Sequence, residues 1–470
     1  MKGDLDGPAA PPTQALLEDT ARRGVRYLAD LGERAVQASA AAVAGLKSLE
    51  VPLNNAPLDP AAVLAELDEV VSPATMAMAG PRFFGFVIGG TLPAALAANW
   101  LATAWDQNAA LGPVTPGVAR IEAVALRWLV DVLGLPPGTQ GAFVTGATMA
   151  NFTALAAARH AVLQRAGWNV EADGLFGAPP VTVIVGEEAH PTLLKALGLL
   201  GLGRRRVVRL PVDGQGRVLA DRLPRVEGPT IVCLQAGNIN TGAFDPFEAI
   251  CTAARAAGAW VHVDGAFGLW AQAAPRLAPL ARGVALADSW ATDAHKWLNV
   301  PYDSGLAFVR EPGALPAAMT ITAEYLPSPG AERSPSDFTP ELSRRARGVE
   351  VWAALRSLGR AGLAELFERN CRQARRFAEG LAAAGFEILN DVVLNQVLVS
   401  FRTPETTQRV IAAVQADGTC WCGGTVWQGR TAMRISVCSW ATTDEDVERS
   451  LAAILRSAAA VRGRLASDAS

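Results

Sequence analysis

Short apolar runs closed by small or polar residues recur through the middle of the chain, at 141–145, 181–185, 230–235, 260–264, 288–293 and 305–310. Stretches with apolar positions at helical spacing fall between them, at 118–133, 147–163 and 247–257. Buried strands alternating with helices predict an open α/β sheet. Before this region, 13–45 and, after a proline break at 57–60, 61–71 read as helices, and the Pro- and Ala-rich residues 1–12 read as disordered. After it, the pattern predicts a helix over 361–384, strands at 387–389 and 396–402, a helix at 405–417, strands near 419–426 and 431–439, and a last helix from Asp444.

The stretch 253–306 organises the rest, and is expected to read helix, strand, helix, strand and a loop bearing a lysine. One strand, Trp260-Val-His-Val-Asp264, ends in a carboxylate, and the next delivers His295-Lys296. Open α/β sheets bind ligands beyond the carboxyl ends of their strands, so this Asp and Lys can converge on one small molecule. Taken singly, the Lys reads as a snorkelling surface residue and the Asp as a cap. Together they suit pyridoxal 5'-phosphate (PLP), whose aldehyde takes a Lys amine as a Schiff base and whose ring nitrogen pairs with a carboxylate.

Composition narrows the partners. With 470 residues the chain exceeds one core, so at least two packed units are expected. A net charge of −3 and a pI near 5.9 give no case for nucleic acid or an anionic membrane. The six cysteines are scattered, only Cys420 and Cys422 lie close, and four histidines make a zinc site a poor reading, so reduced cytoplasmic thiols are expected. The first residues lack a signal-peptide pattern, and apolar runs such as 92–104 fall short of the ~20 residues of a membrane span.

The segments HVDGAFG (262–268) and DAHKWLN (293–299) resemble the signature of the group II PLP-dependent amino acid decarboxylases, the family of the aromatic amino acid, glutamate and histidine decarboxylases, over about 81–445. The resemblance implies an aspartate aminotransferase-like fold type I: an N-terminal helical arm (1–85), a large PLP-binding domain with a mostly parallel seven-stranded sheet (86–350), and a smaller C-terminal α/β domain (351–470). It also implies a cytoplasmic homodimer acting on a small amino acid. Carried over residue by residue, Lys296 holds the cofactor, Asp264 pairs with its ring nitrogen, Ala266 lets the ring lie against the strand, and His190 lies against its face. Ala147 and Thr148 form the phosphate cup with His295 facing it, and Phe86, Asn108 and Arg434 contact substrate, Arg434 through its α-carboxylate. Tyr325, in the irregular Pro-rich stretch 311–339, matches a mobile-loop tyrosine that returns a proton to Cα.

The chain departs from the pattern in three places. Phe86 stands where glutamate decarboxylases carry a carboxylate-binding Gln, which argues against glutamate. Asn238 and Asn240 replace consecutive threonines, and Asp293 replaces an Asn, so that a carboxylate beside a phosphate is expected to point away or to bond His295. With Phe83, Phe84, Trp100 and Trp105, Phe86 suggests an aromatic or apolar substrate side chain. Two other readings stay open: an aminotransferase or aldehyde-forming enzyme on the same scaffold, and a non-catalytic binding protein.

Overall fold

The structure, a computed structural model, describes residues 13–321 and 333–468. The apolar runs form a seven-stranded sheet of β1 (Gln140–Val144), β2 (Thr182–Gly186), β3 (Val208–Leu210), β4 (Thr230–Gln235), β5 (Trp260–Asp264), β6 (Ser289–Asp293) and β7 (Gly305–Val309), in the order β1-β7-β6-β5-β4-β2-β3. β7 runs antiparallel to β1 and β6, and the other pairings are parallel. Because β5 and β6 are parallel neighbours, with Asp264 opposite Ala291, the carboxylates that close them, Asp264 and Asp293, emerge on one edge.

Between β5 and β6 the expected helix is absent. Three short 3-10 turns, Gly268–Ala273, Ala278–Ala281 and Val284–Leu286, take its place, because Pro275, Pro279 and Gly283 (φ 84°) interrupt any longer helical run. The stretch expected to be irregular carries a helix, Ala314–Met319, and a turn, Pro335–Phe338. Tyr325 lies outside the described residues.

Four fully buried tryptophans, at 260, 270, 290 and 297, wall the strands that end at the site. Burying an indole removes up to about 5 kcal/mol of exposed apolar surface, but its N–H needs an acceptor. Trp260 donates to Ser289 Oγ (2.8 Å), Trp270 to the Asp293 carbonyl (2.9 Å), Trp290 to the Val284 carbonyl (3.0 Å) and Trp297 to Asn370 Oδ1 (3.0 Å). The site therefore stands on a rigid, satisfied floor.

A second, antiparallel sheet, ordered β10-β11-β9-β8, contains β8 (Glu387–Ile388), β9 (Gln396–Ser400), β10 (Gly423–Trp427) and β11 (Arg430–Ser436). Arg434 thus sits on an inner strand, between β10 and β9. The helical span Gly348–Ala383 is broken at Gly359 (φ 60°), so that its second part, from just after the break, matches the helix expected over 361–384. Three arginines at its approach are neutralised by carboxylates: Arg344 by Glu122 (2.8 Å), Arg345 by Glu350 (2.6 Å) and Arg347 by Asp303 (2.9 Å). Among the described residues no helix is long and apolar enough to cross a membrane, and no cluster of His, Cys, Asp or Glu is suited to a metal ion.

Candidate active site

Asp264 is buried at the end of β5, where its Oδ1 accepts the Ala266 N–H (3.2 Å) and its Oδ2 accepts the Asn151 amide (3.1 Å). Asn151 comes from the helix Ala147–Arg165, one turn after its start. Its other amide atom lies 2.8 Å from His262 Nε2, and His262 Nδ1 lies 2.9 Å from Ser289 Oγ. Since Asn151 Nδ2 donates to Asp264, its Oδ1 must accept, which places the His262 proton on Nε2. Complete burial pushes the His262 imidazole down to about 3, so the ring is neutral. A one-way chain of donors therefore runs from Trp260 through Ser289, His262 and Asn151 to Asp264. His262 and Asn151 were not singled out from the sequence, although a histidine inside an otherwise apolar strand is itself a signal.

Lys296, partly buried, places its ammonium 2.9 Å from Asp293 Oδ2. Asp293 Oδ1 accepts the Ala147 N–H at 2.6 Å and lies 3.6 Å from His295 Nε2. The helix begins at Gly146, which has no side chain to cap it, so the carboxylate of Asp293 supplies the cap. Asp293 thus does not point away, and its contact with His295 is the weakest of the three. Gly146 leaves little room for a Cβ, which would lie 3.1 Å from the His295 ring. His295 Nδ1 accepts the Ser304 N–H (3.0 Å), and its ring stacks on Tyr302 with centroids 4.3 Å apart.

The lysine loop is clamped from behind. A Cβ on Gly89 would fall 1.9 Å from the Lys296 carbonyl, so only glycine permits this approach. Asn299, buried and at φ 57°, donates to the carbonyls of Trp297 (2.7 Å) and Cys438 (3.0 Å) and accepts the Trp440 N–H (2.9 Å). Neither residue was assigned a role from the sequence.

His190 caps the helix Pro191–Leu199, its Nδ1 accepting the Thr192 N–H (3.3 Å), which leaves the ring proton on Nε2. Burial lowers its pKa against the pull of Asp264, and Lys296 and Arg434 lower it further, so these charges converge on one imidazole. Arg434 is half-buried and gives one long hydrogen bond, to the Ile239 carbonyl (3.4 Å), and among the described residues no carboxylate pairs with it. Asn238 Oδ1 accepts the N–H groups of Asn240 (2.8 Å) and Thr241 (3.2 Å), and Asn240 Oδ1 accepts the Thr425 hydroxyl (2.9 Å), so Asn238 holds its own loop and Asn240 ties that loop to β10.

The aromatic residues divide. Phe86 is 59% exposed, stacks on Trp421 (5.7 Å), and its carbonyl accepts the hydroxyl of Ser436 on β11, the strand of Arg434. Phe83 and Phe84 are core side chains, the first stacked on Trp421 (5.1 Å) and the second edge-on to Phe377 (5.1 Å). Trp100 lies against the first helix at Gly24. Both Phe84 and Phe86 are tied to the strand that carries Arg434, through Ser436, and of the two only Phe86 leaves its ring exposed. The Asn108 side chain accepts the Arg344 N–H (2.9 Å), while Ala266 and Thr148 lie half-buried beside Asp264 and the helix start.

The donor set fits PLP: an amine, a carboxylate closing the neighbouring strand, a half-buried imidazole sensing both charges, and a helix N-terminus with free N–H groups. The one discord is Asp293, a carboxylate where a phosphate needs donors.

The sequence profile of the pyridoxal-dependent decarboxylase conserved domain matches residues 44–404. Tryptophan decarboxylase 1 of Oryza sativa subsp. japonica is 28% identical over 82% of this chain and 81% of its own length. Phenylacetaldehyde synthase of a Rosa hybrid cultivar is 26% identical over 84% of each chain. The crystal structure of Oryza sativa TDC with PLP and tryptamine superposes with a TM-score of 0.88, at 23% identity over 97% of this chain and 99% of that one.

Proposed function

Because the chain belongs to the pyridoxal-dependent decarboxylase family and is a PLP-dependent amino acid decarboxylase, we propose that it acts as a homodimer on an L-amino acid with an aromatic or apolar side chain. The observation that carries this reading is Arg434: a half-buried guanidinium without a carboxylate partner among the described residues, on a strand whose Ser436 hydroxyl donates to the backbone carbonyl of Phe86. The guanidinium is shaped to take the α-carboxylate through two hydrogen bonds. The exposed Phe86 ring, stacked on Trp421, suits an apolar side chain and offers nothing to a second carboxylate.

Bound PLP supplies an electron sink for the bond broken at Cα. Lys296 would hold the cofactor, and Asp264, oriented by Asn151, would pair with its ring nitrogen. His190, whose pKa burial lowers, would pack against the ring, and the helix start at Ala147 and Thr148 would face the phosphate. Tyr325 would supply the proton that Cα takes up. Exposed apolar side chains on neighbouring segments, Trp100 (44%), Leu101 (55%), Trp105 (45%) and Val114 (64%), support a partner subunit there.

The test is a CO2-release and product assay over aromatic, apolar and acidic L-amino acids, with borohydride labelling of the cofactor. Amine and CO2 from an aromatic substrate, with the label on Lys296, are expected. A preference for glutamate, or a label elsewhere, overturns the reading. Tyr325→Phe should shift the product toward aldehyde, and wild-type protein that made aldehyde would favour the second chemistry.

A further inference from the structure

Asp293 is engaged on three sides: Oδ1 caps the helix through the Ala147 N–H (2.6 Å) and faces His295 (3.6 Å), while Oδ2 holds the Lys296 ammonium (2.9 Å). It is 2% exposed, and its own carbonyl is fixed by the Trp270 indole, so neither backbone nor side chain has room to swing into water. The helix start and the lysine are the two groups that a phosphorylated aldehyde has to engage.

We propose that Asp293 is a built-in competitor of the cofactor phosphate, which sets PLP affinity low and makes the enzyme readily exchange its cofactor. This rests on the assignment of the site to PLP. The physical cause is a like-charge conflict. A phosphate dianion drawn to the Ala147 N–H meets a buried carboxylate already bonded to that N–H, and in a site shielded from water such repulsion is poorly screened. Loading therefore has to break the cap and loosen the hold on Lys296. An amide at 293 keeps the shape, removes the charge and adds a donor.

The experiment is equilibrium binding to the apoenzyme, read by tryptophan fluorescence and the visible cofactor band, with PLP and with unphosphorylated pyridoxal as probes. Asp293→Asn is expected to bind PLP about tenfold or more tightly than wild type, while the change for pyridoxal is much smaller, so the ratio of the two affinities rises. Asp293→Ser, which also removes the charge, should raise the same ratio and serves if the amide variant fails to fold. An unchanged or lowered ratio in the folded variants overturns the proposal, as does equal weakening of both probes, which marks a purely structural carboxylate. Wild-type protein with no saturable PLP binding would instead overturn the cofactor assignment.

Discussion

The amide of Asn151 donates to Asp264 Oδ2 across 3.1 Å and accepts from His262 on its other side, so the orientation of one carboxylate depends on a helix residue and a strand residue together. Asn151→Leu leaves Asp264 Oδ2 and His262 Nε2 buried without this partner, while Asp264 Oδ1 and His262 Nδ1 keep theirs. Each orphaned group costs about 1–3 kcal/mol. The variant should unfold at clearly lower denaturant, and the part that folds should bind PLP less tightly. Denaturation midpoints and PLP titration check both effects, and Asn151→Leu protein with wild-type midpoint and affinity would show that Asp264 is held by other means.

His262 makes stability depend on pH in a defined direction. Its folded-state pKa is depressed to about 3 by burial, against roughly 6.5 when unfolded. Between these values the unfolded chain binds a proton that the folded chain refuses, so the stability from this group is complete above about 6.5 and is lost as pH falls toward 3. The slope is at most about 1.4 kcal/mol per pH unit. Other buried groups titrate in the same range, so the measurement is a difference. His262→Gln should show a shallower acid-side loss of unfolding free energy than wild type between pH 6 and 4, and parallel curves would exclude a neutral buried imidazole.

Arg434 should act on binding more than on turnover. Charge-assisted bonds to a carboxylate contribute about 1.5–3 kcal/mol, so Arg434→Met should raise KM for the amino acid by roughly 10- to 150-fold, with a smaller change in kcat. Arg434→Lys keeps the charge but loses the fork and should fall between. A loss confined to kcat would remove the α-carboxylate from this guanidinium.

What was legible in the sequence was whatever a single element carries. β5 and β6 announce themselves as apolar runs, and a terminal Asp or a following Lys is visible because nothing apolar explains it. The seven-stranded sheet and the family followed from those segments. Contacts between distant elements were not legible. Asp293 could be seen to be a carboxylate out of place, but its direction depends on where the helix from Ala147 arrives. Phe83 and Phe84 share their aromatic loop with Phe86, and only packing against Trp421 and Phe377 makes the first two core and leaves the third exposed. The run from 268 to 286 kept a helical composition that its prolines overruled.

Gly89 and Asn299 make the position of Lys296 testable without touching the amine. A Cβ at 89 would sit 1.9 Å from the Lys296 carbonyl, so Gly89→Ala must displace either the loop of Phe86 or the lysine itself. Asn299 resists that displacement by joining the lysine loop to the carbonyl of Cys438 and the N–H of Trp440 just beyond β11. Its backbone carbonyl also accepts the Leu92 N–H (2.8 Å), so three distant stretches meet at one side chain and its peptide. Asn299→Ala removes two buried donor contacts and one acceptor and should destabilise the fold by about 1–3 kcal/mol for each group left unpaired. Asn299→Asp keeps the acceptor but buries a charge facing two carbonyls, and should be worse. Gly89→Ala, in contrast, is expected to spare global stability more than cofactor loading, because its clash falls on the peptide of the lysine itself and removes no hydrogen bond. PLP titration beside thermal unfolding separates the two: loss of loading with little loss of Tm for Gly89→Ala and loss of both for Asn299→Ala. The reverse order would mean that the lysine loop is held from the strand side alone.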